Sequence, residues 1–222
     1  MWAWLRYREG LRVNKKRVYR LMREAGLTVK RQVHAATRTP KAKPKATRPR
    51  QYWGIDMTKF LIPALGWAYL VVVLDWYTKK IVGWDLSLRS RRQEWEAALA
   101  MGLQAEFPQG VRGAGLKLMS DNGSQPTATG FMAAMNVLGI EQVFTSYDNP
   151  KGNAETERLM RTIKEELLWL QEFPSLEAAR EAIAQWITAD YNQRYVHSAL
   201  GYRSPLEFEA AFRQREAAQA AA

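Results

Sequence analysis

Three acidic residues lie in three different settings along the chain, and together they could serve metal-dependent chemistry. Asp56 lies in the strand-like run YWGIDMTKF, and Asp121 follows the apolar run LKLMS and precedes an Asn-Gly turn signal. Glu157 lies on a predicted helix behind a Pro-Gly loop, with 35 residues between it and Asp121. Carboxylates at one point can hold two divalent ions about 3.5–4 Å apart, which stabilise the attacking and leaving oxygens of a phosphoryl displacement. Because the 222-residue chain has a net charge of +11, nucleic acid is the expected polymer of phosphates.

Each acid also has an ordinary structural interpretation. Asp56 could make a structural hydrogen bond or pair with Lys59, and Asp121 could be a turn residue, because Asp-Asn-Gly is common turn chemistry. Glu157 could form an exposed helical pair with Arg161, which contributes only a few tenths of a kcal/mol. Taken one at a time, the residues leave these alternatives open.

The predicted helix that carries Glu157 also carries two cations on the same face. Arg161 is four residues after Glu157 and Lys164 is seven residues after it. A metal-binding carboxylate beside two cations is a suitable surface for gripping a phosphate. Arg161 and Lys164 are therefore candidate DNA-contact residues.

Two further residues compete for a role in the chemistry. Asp75 follows the apolar run LVVVL and could be a fourth ligand or could accept a hydrogen bond from a turn amide. His197 could be a general base, although its distance along the chain from the acids favours a packed or DNA-facing histidine.

Composition excludes several classes of site. The chain has no cysteine, which rules out disulfides, thiolate catalysis and cysteine-zinc sites, and two histidines make a histidine-rich metal site improbable. The longest apolar run, Trp67 to Leu74, is shorter than the roughly 20 residues of a membrane span. The N-terminus carries no recognisable signal peptide. We therefore expect a cytoplasmic, nucleoid-associated protein without a membrane partner.

The segment 1–33 is predicted to contain two short helices. Residues 13–25 have apolar side chains at helical spacing, with Asn14 suited to cap the helix and Gly26 to end it. A preceding helix covers Trp2 to Glu9. The second helix has a basic face whose candidate DNA-contact residues are Lys15, Lys16, Arg17 and Arg20. The pattern fits a partial helix-turn-helix and a solvated amphipathic hairpin equally well.

Residues 34–50 change character and read as a basic linker. They include three prolines and six lysines and arginines with no acid, so the segment should be extended and attracted to phosphates, although a passive spacer has the same composition. At the other end, residues 213–222 are predicted to be a disordered tail because of the alanine-rich end.

The remaining residues predict a mixed α/β layer fold. Three strand patterns, at 52–62, 67–75 and 80–86, should form an antiparallel meander. Helix and strand patterns then alternate, which is typical of helices packed on a sheet. The predicted later elements are helices at 91–107, 127–138, 154–170 and 175–191, and strands at 116–119 and 140–144.

Six blocks of the sequence together resemble a known family. In chain order they are NKKRVYRLMREAGL, YWGIDMT, LVVVLDWYTKKIVGW, SDNGSQ, GNAETERLMRTIKEE and YNQRYVHSALGYRSPLEF. Their order, and the gap of 35 residues between the second aspartate and the glutamate, are similar to the retroviral-integrase-like core of bacterial insertion-sequence transposases, in particular the insertion-sequence-three family.

The resemblance implies a fold and a set of site residues. The fold is ribonuclease-H-like, with a mixed five-stranded sheet flanked by helices, over residues 51–212 and preceded by the short helical segment. Asp56, Asp121 and Glu157 become the catalytic residues and the ligands of Mg²⁺, with Mn²⁺ as a substitute and two ions expected. Arg161 and Lys164 resemble cations that contact the transposon end, and Asp75 has a familiar but non-catalytic position.

The resemblance also implies an activity and partners. The activity is DNA cleavage and strand transfer at insertion-sequence ends, without a covalent protein–DNA intermediate. The partners are the terminal inverted repeats, target DNA, further copies of the chain, and an upstream-frame product that carries the family's upstream helix-turn-helix and coiled coil, which this chain is expected to lack. Two alternatives stay open: a nuclease of the same fold that only hydrolyses, and a catalytically silent DNA-binding regulator of transposition.

Overall fold

The protein is described here by a computed structural model, which covers residues 1–28, 44–145 and 153–221. The chain divides into two compact units, one of Met1–Ala42 with Gln193–Ala222 and one of Lys43–Asn192. The predicted loop at 147–152 and most of the predicted linker lie outside the described residues. The sequence suggested that the catalytic core ends at 212, whereas the structure groups the residues after Asn192 with the N-terminal residues.

A five-stranded mixed sheet forms the centre of the larger unit, as predicted. Its strand order is β3-β2-β1-β4-β5. The first three strands are an antiparallel meander, and β4 runs parallel to both β1 and β5. The strands are β1 Tyr52–Ile62, β2 Gly66–Asp75, β3 Ile81–Ser87, β4 Lys117–Ser120 and β5 Glu141–Phe144.

Within the described part of the larger unit, four helices flank this sheet. They are α3 Arg92–Glu106, α4 Thr129–Leu138, α5 Ala154–Ile163 and α6 Leu176–Gln185. Two of their ends have ordinary caps. The Ser175 side chain accepts a hydrogen bond from the amide of Ala178 at the start of α6, and Gly139 ends α4 in the left-handed conformation with φ of 67°. Among the described residues, no helix is both long enough and apolar enough to cross a membrane.

Helices α5 and α6 each continue into a π-helical turn, at Lys164–Leu168 and Trp186–Asn192. The sequence predicted uninterrupted helices there, because a π turn keeps the same apolar composition and changes only the spacing. The second turn ends on the sheet, since the Asn192 side chain exchanges two hydrogen bonds with the backbone of Ile81, at 3.0 and 2.9 Å.

The two faces of β1 contact different helices. Trp53 and Ile55 face a buried cluster that includes Trp95 and Leu99 of α3 and Phe131 of α4. Successive residues of a strand point to opposite faces. The alternate residues of β1, which include Gly54 and Asp56, therefore point to the other face, on which α5 packs.

The smaller unit contains α1 Trp2–Tyr7, α2 Lys15–Glu24 and α7 Pro205–Ala220. The Asn14 side chain caps α2 by accepting a hydrogen bond from the Lys16 amide at 2.8 Å, as predicted. Helix α7 runs to Ala220, so the prediction of a disordered tail from residue 213 is wrong over that range. Alanine has the highest intrinsic helix propensity, which explains why the alanine-rich stretch extends the helix.

Helix α1 packs on the segment that leads into α7. Arg8 forms an ion pair with Glu207 at 2.7 Å and donates a second hydrogen bond to the carbonyl of Arg194 at 2.7 Å. The ring of Tyr202 stacks on Tyr7 with centroids 5.0 Å apart and meets Trp2 edge-on at 5.7 Å. These contacts explain why the first and last described segments form one unit.

Candidate active site

The strand register brings Asp56 and Asp121 to the same level of the sheet. Strands β1 and β4 pair in parallel, with Gly54 opposite Met119. Continuing this register by two residues places Asp56 opposite Asp121, which directly follows the end of β4. Neighbouring strands lie about 4.8 Å apart, so the two carboxylates are neighbours at the carboxyl end of β4.

Helix α5 brings Glu157 to the face of β1 on which Asp56 lies. A Cβ atom at Gly54 would lie 2.0 Å from Thr156 Oγ1 and 2.4 Å from Trp76 Nε1, so the first turn of α5 touches the strand backbone. Trp76 Nε1 donates a hydrogen bond to Thr156 Oγ1 at 3.1 Å and ties the helix to the end of β2. Glu157, which follows Thr156, is exposed beside this contact.

Asp56 lies close enough to Asp121 and Glu157 for their charges to affect its pKa. The pKa of Asp56 is raised to about 6; burial is the largest cause of the rise, and repulsion from Asp121 and Glu157 contributes to it. The Met57 amide, which donates to Asp56 Oδ1 at 2.7 Å, and the Lys164 ammonium oppose the rise in pKa. The site therefore has an excess of negative charge that a bound cation would neutralise.

The donor set suits a hard divalent cation. Carboxylate oxygens are the preferred protein ligands of Mg²⁺, which usually takes one or two carboxylates together with oxygens of a substrate phosphate. In the described part of the chain, no three acidic or histidine side chains converge tightly enough to enclose an ion as they stand. Asp121 and Glu157 are both exposed, and their side chains would have to turn inward to complete a metal site.

The other residues of α5 separate into two groups. Arg161 is exposed and Lys164, which begins the π turn, is half-buried and close enough to Asp56 to lower its pKa. Glu155 instead pairs with Lys79 at 2.8 Å, because residues two positions apart on a helix point in different directions.

Asp75 has a structural role. Its buried carboxylate accepts hydrogen bonds from the amides of Tyr77 and Thr78 at 2.9 Å, from the amide of Arg50 at 2.6 Å and from Trp53 Nε1 at 3.1 Å. Burial raises the pKa of Asp75, and these four donors act against the rise. Of the two predictions for this residue, the turn-amide acceptor is the one that the contacts support.

His197 lies in the smaller unit, whereas the three acids lie in the larger one. Its backbone pairs with Arg203 in an isolated antiparallel bridge, and its ring lies 4.8 Å from that of Tyr195. These contacts support the interpretation of a packed histidine.

The predicted DNA-contact residues of α2 all lie on its exposed surface. Lys15 also lies over the ring of Trp2 at 5.6 Å, and Arg20 approaches Glu24 at 3.7 Å. Both contacts are exposed and weak, so they leave the cations available. The exposed set is Lys15, Lys16, Arg17 and Arg20.

Sequence reasoning missed the residues that seat α5 on the sheet, namely Gly54, Trp76 and Thr156. One signal was present, because a glycine inside a strand pattern often marks a close approach by another backbone. Nothing in the sequence identified Thr156 as the side chain that makes this approach.

Comparison with known proteins agrees with this geometry. Residues 46–150 and 138–205 match two families described as integrase core domain, and residues 1–34 match a family described as HTH-like domain. The catalytic core domain of HTLV-2 integrase, solved in complex with magnesium in a trimeric form, superposes with a TM-score of 0.55 at 15% identity. The superposition covers 74% of this chain and 99% of that one. The fold is thus the ribonuclease-H-like fold of integrase catalytic cores.

Relatives in sequence identify the family. The chain is 34% identical over 221 residues to a 31.7 kDa protein of insertion element IS407 from Burkholderia multivorans, covering 96% of this chain and 76% of the relative. It is 33% identical over 165 residues to the transposase of IS904 from Lactococcus lactis, covering 74% of this chain and 63% of that transposase. The chain belongs to the insertion-sequence-three (IS3) family of transposases.

Proposed function

We propose that this chain is the catalytic part of a DNA transposase that cuts DNA at insertion-sequence ends and joins the released end to target DNA. The observation that carries the proposal is the register of β1 and β4. It places Asp56 opposite Asp121, beside the helix that presents Glu157. The family of the chain supports the same reaction class.

In this proposal, Asp56, Asp121 and Glu157 hold Mg²⁺, with two ions as the expected number. Bound Mg²⁺ supplies Lewis-acid stabilisation of the attacking and leaving oxygens. Burial is the main cause of the raised pKa of Asp56, and the smaller contribution from repulsion by Asp121 and Glu157 supports the assignment, because it places the three carboxylates near one another. The carboxylates fix the position of the reacting phosphate relative to the sheet.

Arg161 and Lys164 are proposed to hold that phosphate from the helix side. Both follow Glu157 at helical spacing, and Lys164 already interacts with Asp56. Cations at this position favour the charge that develops on the non-bridging oxygens.

The reaction is proposed to run in two steps. Water first displaces the 3′-oxygen at the end of the element and leaves a free 3′-hydroxyl. That hydroxyl then attacks a target phosphodiester, so that one new phosphorus–oxygen bond forms, one breaks, and a target 3′-hydroxyl is released.

The partners in this proposal are the terminal repeats, target DNA and further copies of the chain. The exposed cations of α2 and the HTH-like match over residues 1–34 support DNA contact by the N-terminal segment. The structural relative from HTLV-2 is described in a trimeric and a dimeric form, which supports association of several copies of this chain.

Strand joining on a branched DNA that mimics the strand-transfer product tests the proposal with Mg²⁺ or Mn²⁺. The variant Glu157→Gln removes one proposed ligand, and Glu155→Gln is the matched control on the same helix. We expect joining by the parent and by Glu155→Gln, and a loss of at least about a thousandfold in Glu157→Gln, because the metal site would be incomplete.

Three outcomes would change the conclusion. Hydrolysis of DNA without any joining by the parent would favour a nuclease. Absence of both reactions in folded parent protein that still binds DNA would favour a regulator. Equal joining activity in the two variants would show that Glu157 is not a ligand in the metal site.

A further inference from the structure

A basic loop lies between strand β3 and helix α3 and is not used by the proposed reaction. We define the arginine loop as residues 88–92, with the sequence Leu-Arg-Ser-Arg-Arg. Arg89 and Arg91 are exposed, and neither forms an ion pair with any other residue that the structure describes. Arg92 differs, since it pairs with Glu96 at 3.6 Å. The loop therefore presents two uncompensated guanidinium groups.

The arginine loop is attached to the turn that carries Asp121. Gln125 Nε2 donates hydrogen bonds to both the carbonyl and the hydroxyl of Ser90, each at 3.2 Å. Asp121 begins this turn and accepts a hydrogen bond from the Gly123 amide at 3.0 Å. The two arginines thus flank a residue that is fixed to the acid-bearing turn.

The strand registers place the arginine loop at the same edge of the sheet as the acids. Ser87, the last residue of β3, pairs with Tyr69, and Tyr69 pairs with Lys59 of β1. Strand β3 is antiparallel to β2, which is antiparallel to β1, so β3 and β1 run in the same direction. Ser87 is therefore level with Lys59, three residues or about 10 Å beyond Asp56 along the strand direction, and the loop begins past that point.

The loop also has a fixed end. The side chain of Glu94 accepts a hydrogen bond from the Arg91 amide at 2.7 Å and so caps the start of α3. A capped backbone limits the entropy that would be lost when the Arg91 side chain binds a ligand.

We propose that Arg89 and Arg91 bind the phosphate backbone of the DNA strand that passes from the candidate site toward β3. This inference rests on the proposed function and adds a second contact to it. Guanidinium groups bind phosphate oxygens in a bidentate geometry. The α5 cations hold the DNA on the helix side of the acids, and the arginine loop holds it on the β3 side.

The salt dependence of DNA affinity tests this inference directly. The test compares the parent with the double variant Arg89→Gln with Arg91→Gln on a non-specific duplex. The magnitude of the slope of log affinity against log salt should fall by about 0.9 for each lost phosphate contact, or by about 1.8 in total. Each single variant should account for about half of this change. Replacement of both residues by lysine should restore most of the slope, because the charge is retained.

Arg112→Gln is the matched control. Arg112 is an exposed arginine in the loop before β4, at the opposite edge of the sheet, and its side chain donates to the carbonyl of Val137. We expect Arg112→Gln to have the same slope as the parent. The magnitude of its slope should therefore exceed that of either single variant by about 0.9. Thermal melts followed by circular dichroism verify that every variant is folded.

Different results would refute the arginine-loop proposal and the proposed function. A double variant with the slope of the parent overturns the inference about the arginine loop, and so does a parent that binds no duplex at all. The same holds if Arg112→Gln lowers the slope as much as either single variant. Absence of metal-dependent joining by the parent overturns the proposed function, whatever the slopes are.

Discussion

The contact between Gly54 and the first turn of α5 provides a sharp test of how the site is built. The substitution Gly54→Ala would place a Cβ atom 2.0 Å from Thr156 Oγ1, whereas ordinary contact begins at 3.4 Å. Relief of the overlap requires a displacement of about 1.4 Å between the strand and the helix. Thr156 precedes Glu157, so the proposed ligand moves with the helix.

Two effects of this substitution can be separated. Overpacking of this kind destabilises a fold by about 1–3 kcal/mol, and a displacement of about 1 Å in a catalytic group costs roughly a hundredfold in rate. We therefore expect Gly54→Ala to stay folded at low temperature and to join DNA about a hundredfold more slowly, which corresponds to about 2.7 kcal/mol in the barrier. Single-turnover joining and urea unfolding measure the two quantities.

Gly83→Ala is the matched control for this prediction. Its new Cβ atom would lie 2.1 Å from the carbonyl oxygen of Ala98, a nearly equal overlap against helix α3, which carries none of the three acids. We expect a loss of stability at least as large as in Gly54→Ala, because the clash is with backbone atoms, and a much smaller loss of joining rate. Equal losses of rate in the two variants, or a Gly54→Ala protein as fast as the parent, would refute the reasoning.

Three further predictions concern stability. Hydrogen bonding to Arg8 is the largest cause that lowers the pKa of Glu207 from its ordinary value of 4.5 to about 2, so the stability contributed by this partly exposed carboxylate is complete above pH 4.5 and is lost as the pH falls toward 2. Unfolding at several pH values should show a steeper acid loss in the parent than in Glu207→Gln. Glu106→Gln should cost about 3 kcal/mol in urea unfolding, because it removes the buried negative charge that pairs with Lys80 at 2.5 Å and with Arg50 at 2.9 Å. Ser204→Ala should lower the melting temperature of the protein through a cost of about 1 kcal/mol, because the Ser204 hydroxyl caps α7.

The sheet and most helices could be predicted because their signals are local. Enrichment in β-branched and aromatic residues identified β1 and β2, which meet at a turn that ends at Gly66, where φ is 90°. Helix α7 was missed although its start carries a Ser-Pro-Leu-Glu capping box, in which Ser204 and Glu207 bond reciprocally. That signal was available and was not used.

The assembly of the site could not be predicted from local patterns. The level placement of Asp56 and Asp121 depends on the register between β1 and β4, which pairs residues 65 positions apart in the chain. The close packing of α5 against Gly54 depends on the Thr156 side chain, whose position is set by tertiary packing. The role of Asp75 was likewise decided by the four donors that the fold brings to it.

The contacts of helix α1 have a consequence for the order in which the protein can fold during synthesis. Arg8 bonds to the carbonyl of Arg194, 186 residues further along the chain. At a translation rate of about 5–20 residues per second, α1 leaves the ribosome roughly 10–40 s before this partner does. Until then Trp2 and Tyr7 lack the ring of Tyr202 on which they pack. The smaller unit is therefore completed only when nearly the whole chain has been translated, so a nascent chain stalled before residue 194 would expose these aromatic side chains to proteases and chaperones.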